Sequence, residues 1–386
     1  MTDEAAATIG KAQSLLRGGD RAGALTLLEE TLDRQPGSHD LHLNLAMARR
    51  AGGDLRGAVH ALNGALAIDP YSFLALLSKG AVLEQMGHPR QAADTYGNAL
   101  KLAPPEANTP AGLKAPIARA QTVVAEQAKA MAEHLHQALA PVRGDEDSAE
   151  GRRFDQSIDV LAGVSRVYNA EPVQLHYPRL PAIPFFDRQH FPWLESLESA
   201  TDTIRDELVA LLDAGLPGFS PYVDYAPGTP ENQFAALNHN SDWSSLWLWR
   251  DGVRQDEATA RCPRTAAILE ELPLCDQPGF APTALFSALA GNTRIPPHTG
   301  SANTRLLVHL PLVLPGHAGF RVGNETRSWE LGTAWVFDDT IEHEAWNDAD
   351  ATRVILIFDI WNPLLSADER QWIARLMTAH RDWLRG

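Results

Sequence analysis

Pro297-His298-Thr299-Gly300, then Asn303-Thr304-Arg305-Leu306-Leu307-Val308-His309, then Glu342-His343-Glu344 and, ten residues on, Arg353: this stretch decides how the second half of the chain is read. Ser287 stands just ahead of it, and the histidines at 298 and 343 are 45 residues apart. Around them lie short runs rich in β-branched and aromatic residues, at 284–290, 305–313, 319–322, 327–330, 334–337, 343–347 and 353–361, separated by Pro, Gly, Asn and Asp. Closely spaced strands without helices between them predict a double-sheet jelly roll. Two imidazoles on separate strands of such a barrel suit iron(II), held by few protein ligands so that positions stay open for a co-substrate and dioxygen. The planar fork of Arg353 suits the distal carboxylate of 2-oxoglutarate.

Strand alternation refines the candidates. It puts Arg305, Leu307 and His309 on one face, so that Arg305 and His309 can both point into the barrel. It sends Glu342 and Glu344 to the face opposite His343, which disfavours both as metal ligands. The position two after His298, where a carboxylate would complete a two-histidine, one-carboxylate set, is Gly300. The third position is left without a protein ligand in this reading, and an anion such as chloride could fill it. Blander readings cover the rest. His309 alone would be structural, and His190 and His317 fit no constellation. Asp338-Asp339 shapes a turn before the second ligand strand. Trp329, Trp335, Trp346 and Trp361 read as barrel core, and packing is favoured for Trp243, Trp247 and Trp249.

The first hundred residues repeat. Gly19, Gly53 and Gly87 are spaced by 34, and so are Ala24, Ala58 and Ala92, Leu32, Leu66 and Leu100, and Pro36, Pro70 and Pro104. Ala12, Ala46 and Gly80 add a small residue to each unit. This period resembles the tetratricopeptide repeat: two antiparallel helices per unit, a small side chain where they cross, a glycine in the turn and a proline closing the second helix. The array is expected over about residues 5–104, with 111–140 as the helix that caps its open face. The acidic stretch Gly144-Asp145-Glu146-Asp147-Ser148 reads as a linker. The expected organisation is an all-α repeat solenoid with its cap over 1–142, a linker over 143–152 and a jelly-roll domain over 153–386, α+β as a whole. A helix is predicted from Phe154 at the start of the second domain, and a closing helix after the capping box Ser366-Ala367-Asp368-Glu369.

Composition narrows the partners. The net charge of −16 argues against nucleic acid, which needs a basic face. No apolar run reaches the roughly 20 residues of a membrane span, no signal peptide is evident at Met1-Thr2-Asp3-Glu4-Ala5, and two cysteines are too few for a disulfide framework. A cytoplasmic protein with no membrane partner is expected. The repeats would recruit a peptide or protein, or would only stabilise the chain.

The run Pro297-His298-Thr299-Gly300, Asn303-Thr304-Arg305-Leu306, His309-Leu310, Asn324-Glu325-Thr326, Trp329, Phe337-Asp338-Asp339, Glu342-His343-Glu344 and Arg353 strongly resembles the aspartyl/asparaginyl β-hydroxylase family. Phe191-Pro192-Trp193-Leu194 is similar to its pre-barrel segment, and some members carry tetratricopeptide repeats ahead of the catalytic domain. The resemblance covers roughly residues 150–365 and implies an iron(II)- and 2-oxoglutarate-dependent dioxygenase that hydroxylates a β-carbon. It implies His298 and His343 as the catalytic iron ligands, Ser287 and Arg353 at the distal carboxylate of 2-oxoglutarate, and His309 near its other carboxylate. It places Arg305 near a substrate carboxylate. Leu307 departs from the pattern, since the animal enzymes carry an arginine there. Two function classes follow. One is a hydroxylase of aspartyl or asparaginyl residues in a peptide or protein, or of a free or carrier-bound amino acid or an acyl chain. The other is a binding module whose barrel has lost turnover.

Overall fold

The computed structural model describes residues 2–144, 148–230 and 232–386, in two compact units, Met1–Arg166 and Val167–Gly386. The middle of the expected linker, Asp145 to Asp147, lies outside the described residues.

The first unit is helical: α1 (Asp3–Arg17), α2 (Arg21–Arg34), α3 (His39–Ala51), α4 (Leu55–Ile68), α5 (Phe73–Gln85), α6 (Pro89–Leu100), α7 (Ala111–Arg143) and α8 (Ala149–Ala162). The 34-residue period recurs in the capping chemistry. Asp20 and Asp54 accept from Gly23 N and Gly57 N at 2.9 Å, closing the first turns of α2 and α4. Ser38 and Ser72 do the same for α3 and α5. Gly19, Gly53 and Gly87 hold φ of +85°, +82° and +75°, a conformation that other residues adopt only with strain. Where α5 crosses α6, a Cβ on Gly80 would strike the ring of Tyr96. Ala120 and Val123 of α7 pack with Leu77, Ala92, Tyr96 and Ala99, so α7 covers the last repeat. The helix expected to open the second domain differs in place. As α8 it packs back on α7, with His136 Nε2 3.0 Å from Asp159, and the division between units falls after Arg166. Composition marked the acidic residues ahead of α8, but the groups that hold it, His136 and Arg143, are in α7.

The second unit opens with an irregular segment, then α9 (Leu194–Ser199) and α10 (Thr201–Asp213). β1 (Ser220–Pro221), β2 (Trp243–Arg250) and β3 (Val253–Arg254) follow, then α11 (Asp256–Arg261) and α12 (Pro263–Glu270). The strands continue as β4 (Ala284–Leu289), β5 (Thr293–His298), β6 (Arg305–Val313), β7 (Ala318–Val322), β8 (Glu325–Ser328), β9 (Trp335–Phe337), β10 (His343–Asn347) and β11 (Arg353–Trp361), and α13 (Ala367–Arg385) closes the chain. They form two antiparallel sheets. One is ordered β1-β2-β4-β11-β6-β9 with β3 beside β2, and the other β5-β10-β7-β8.

Period-two alternation splits the larger sheet into two apolar faces. Leu246, Phe286, Val308, Leu310, Val354, Leu356 and Phe358 pack against Leu194, Leu197, Ile204 and Leu208 of α9 and α10. Trp243, Leu289, Trp335, Phe337 and Ile355 on the other face join Ile295, Phe320, Val322 and Ala345 of the smaller sheet. The functional candidates stand among this second set.

Candidate functional site

β5 contains Pro296 and Pro297 and is an edge strand, where the missing N–H of a proline goes unused. His298 is its last residue, and His343 is the first residue of its neighbour β10. The register sets the two opposite each other, with ring centroids 4.1 Å apart. His298 Nδ1 lies 2.8 Å from the carbonyl oxygen of Pro296, and His343 Nδ1 lies 3.0 Å from that of Ile341. A carbonyl only accepts, so both Nδ1 atoms donate, and each Nε2 keeps a lone pair. Burial lowers both pKa values, and the neighbouring His298 lowers that of His343 further, so both rings are neutral at neutral pH.

No group of three His, Cys, Asp or Glu residues suited to a metal occurs among the described residues. Gly300 explains part of this. A Cβ there would strike the carboxylate of Asp339, and Gly300 N donates to the Asp339 carbonyl at 2.6 Å. Asp339 is therefore pressed against the position where a third carboxylate would be rooted. Its Oδ1 is buried without a partner, and burial pushes its carboxyl up to about 7. The pair Asp338-Asp339, read as a turn from sequence, divides its work. Asp338 makes the turn, accepting from Thr340 N at 3.0 Å and from its hydroxyl at 2.5 Å. A strap ahead of α9 ties both ligand loops together: Glu171 N donates to Thr340 O at 2.7 Å, and Val173 N to Gly300 O at 2.9 Å.

Arg353, His309 and Ser287 stand on the inward face of the larger sheet, since His309 pairs with Ile357 and Ser287 with Ile355. Arg353 is 1% exposed, and its Nε and Nη1 have no hydrogen-bond partner. Burial pulls its guanidinium down to about 10, still cationic at neutral pH. The guanidinium lies 5.2 Å over Trp329, which also stacks on Trp335 at 4.6 Å and on His309 at 5.6 Å. Both His309 nitrogens are buried and unpartnered, and burial with the Arg353 charge keeps that ring neutral. Phe337 and Phe320 separate His309 from His343. Ser287 Oγ accepts from Trp243 Nε1 at 3.2 Å, and that indole lies 6.4 Å from His298. Chemically, two neutral imidazoles can hold a divalent transition metal, and an unpaired buried guanidinium can hold an anion.

Arg305 is engaged elsewhere. Its Nη1 meets the fully buried Asp359 at 2.5 Å, and its guanidinium covers Phe280 at 4.7 Å. Burial opposes the charge, but Asp359 and Asp339 outweigh it and hold Arg305 protonated. Asp359 was missed in the sequence reading. Its signal was present as the one acid in the otherwise apolar strand that follows Arg353. Tyr222 stacks on Trp243 at 4.0 Å and on Trp247 at 5.7 Å, and Phe234 meets His298 edge-on at 5.2 Å, so an aromatic wall borders the histidine pair. Glu342 and Glu344 both reach Arg321, at 3.0 and 2.5 Å, rather than the histidine pair. His317 pairs with Asp348 on the surface, and His190 packs on Phe186 and Phe191.

A family described as aspartyl/asparaginyl beta-hydroxylase matches residues 198–363, and one described as tetratricopeptide repeat matches residues 9–73. The human aspartyl/asparaginyl beta-hydroxylase is 37% identical over 180 residues, 46% of this chain and 22% of that protein. The ornithine lipid ester-linked acyl 2-hydroxylase of Rhizobium tropici is 33% identical over 202 residues, 51% of this chain and 67% of that enzyme. Human aspartate beta-hydroxylase domain-containing protein 2 is 30% identical over 211 residues, 54% of this chain and 55% of that protein. The chain thus spans about a fifth of the length of the human enzyme. No helix among the described residues is long and apolar enough to cross a membrane.

Proposed function

Because this chain belongs to the aspartyl/asparaginyl β-hydroxylase family, we propose that it is an iron(II)- and 2-oxoglutarate-dependent dioxygenase hydroxylating the β-carbon of aspartyl or asparaginyl residues in a peptide or protein. The two-sheet unit is the jelly roll of such oxygenases. One observation carries the reading: Arg353 is an unpaired, fully buried cation on the inward face that also carries His309 and Ser287, in the unit that sets a pair of Nδ1-anchored imidazoles face to face. A buried charge without a partner costs several kcal/mol, a cost that an anionic ligand relieves.

His298 and His343 would hold iron(II), whose open positions bring dioxygen and 2-oxoglutarate together. Arg353 binds the distal carboxylate and Ser287 Oγ hydrogen-bonds beside it. Neutral His309 donates or accepts near the other carboxylate without adding charge. Trp329, Phe320 and Phe337 exclude water from this end, which strengthens the Arg353 pairing. Asp339, with one unpartnered oxygen, orients a hydrogen-bonding group at the third position. Among the repeats, a groove lined by Arg50, Leu77, Glu84, Gln85, Tyr96 and Arg119 would receive a polypeptide segment.

A specific feature favours a second reading of the substrate. Arg305, the cation expected at a substrate carboxylate, is tied to Asp359, and the neighbouring inward position is Leu307. With the aromatic wall of Tyr222, Trp243 and Trp247, this suits an acyl chain. Anaerobic titration with iron(II) and 2-oxoglutarate tests the site itself, and absence of binding would leave a vestigial barrel. Aspartyl and asparaginyl peptide libraries run beside acyl amides, read by the mass gain of one oxygen atom, then decide between the substrates.

A further inference from the structure

The closing helix α13 has two apolar faces, and the fold covers one of them. Ile373 is buried with Cys275, Ala281, Trp361 and Leu365. Trp372, Leu376, Ala379 and Trp383 follow one another at i, i+4, i+7 and i+11, a single stripe on another side of the helix. Trp372, Leu376 and Trp383 are 63%, 52% and 79% exposed. Large apolar side chains gathered in one exposed stripe mark an interaction surface.

The stripe reads the same in both directions. Its spacings are four, three and four, and its midpoint falls between Met377 and Thr378. A twofold axis there lays a second helix antiparallel on the first. Trp372 of each copy then meets Trp383 of the other, and each Leu376 enters the gap left by an Ala379, as an isologous contact requires. The charges match as well. Arg375 and Asp382 border the stripe on the same side, and a twofold axis turns that side toward itself. Each Arg375 then lies about 3 Å along the axis from Asp382 of the other copy, at 1.5 Å rise per residue. Within one copy Asp382 has a cation only at 3.7 Å, Arg381 on its own helix. A bilayer surface calls instead for a basic border. Here Arg375 and Asp382 balance, in a chain of net charge −16.

We propose that the exposed stripe of α13 is the interface of an antiparallel homodimer, registered by reciprocal Arg375–Asp382 pairs. A contact made by one helix from each copy is a small one beside the roughly 1,200 Å² of a standard interface, so a weak and reversible association is expected.

Sedimentation of the full chain over a concentration series tests this. A monomer–dimer equilibrium is expected, abolished by Trp372→Glu with Trp383→Glu. Arg375→Asp alone and Asp382→Arg alone should each weaken dimerisation about tenfold, by setting like charges against each other. The two reversals combined should restore it. Thermal melting of each variant separates loss of pairing from loss of folding. A chain that stays monomeric, a dimer indifferent to both tryptophans, or single reversals that the double variant fails to rescue would each overturn the proposal. So would a monomer that cosediments with phosphatidylglycerol vesicles through the same tryptophans.

Discussion

Thr8, Thr31 and Ser72 are the polar residues buried in the first unit among those described, and they are small hydroxyls. The second unit buries Glu207, His309, Asp338, Asp339, His343, Arg353 and Asp359. Some of these are satisfied by their surroundings. Glu207 accepts from the backbone of Arg264 and Thr265 at the start of α12, and Asp359 accepts from Thr283 N and Arg305. Others, His309, Asp339 and Arg353, keep buried atoms without partners. Among the described residues, the repeat core thus buries no charged side chain. The second unit places His309 and Arg353 on one inward face with unsatisfied buried atoms, and adds Asp339 beside Gly300, which is what a ligand site requires.

The sharpest break in this contrast is expected at the histidine pair. His298→Ala or His343→Ala should abolish iron-dependent consumption of 2-oxoglutarate while the fold is kept, with the melting temperature lowered more at His343, whose buried ring packs beside Phe320 and Phe337. Retained turnover in either variant would remove the assignment. Arg353→Met should act in two directions. The KM for 2-oxoglutarate rises by the equivalent of about 2–5 kcal/mol, while the ligand-free chain melts at a higher temperature because an unpaired buried charge has gone. A lower melting temperature with unchanged KM would make Arg353 a structural residue.

Gly80→Ala should hit the other unit. The added methyl strikes Tyr96, an overpacking worth about 1–3 kcal/mol, and 2-oxoglutarate turnover in the barrel stays as it was. Reduced turnover would mean that the units are coupled.

The smallest effect concerns pH. Asp339 has its carboxyl raised from 3.8 to about 7 by burial, so the folded chain holds a proton that the unfolded chain releases. Its contribution to stability is therefore full below about 4 and is lost as pH rises through about 7. Denaturant midpoints taken across that window with metal chelated should fall with pH in the native chain and fall less in Asp339→Asn. Parallel profiles would rule out Asp339 as the source.

The repeats were legible because one chemical solution recurs: Gly19, Gly53 and Gly87 make the same turn, and Asp20 and Asp54 the same cap. In the second unit, β6, β10 and β11 were legible as short runs bounded by Pro, Gly, Asn and Asp, and alternation gave the face shared by Arg305 and His309. A strand at His298 was expected, but the span of β5 was not legible, since Pro296 and Pro297 argue against a strand until its edge position is known. Asp339 and Asp359 were hidden for a different reason. Their environment is made by residues distant in sequence, Gly300 for one and Arg305 for the other, and no local pattern records such a meeting. Helix α8 was placed with the wrong neighbour because an acidic stretch looks like a boundary whichever side the next helix packs on.

Each of the facing histidines is steered by the carbonyl two residues before it in the chain, Pro296 within β5 for one and Ile341 just ahead of β10 for the other. Orientation drawn from a residue's own backbone is available as soon as the strand forms. The site then behaves as a socket rather than a staple. Chelation should empty it without loosening the sheets, and metal returned to the folded chain should restore it at the pace of diffusion and desolvation rather than of refolding.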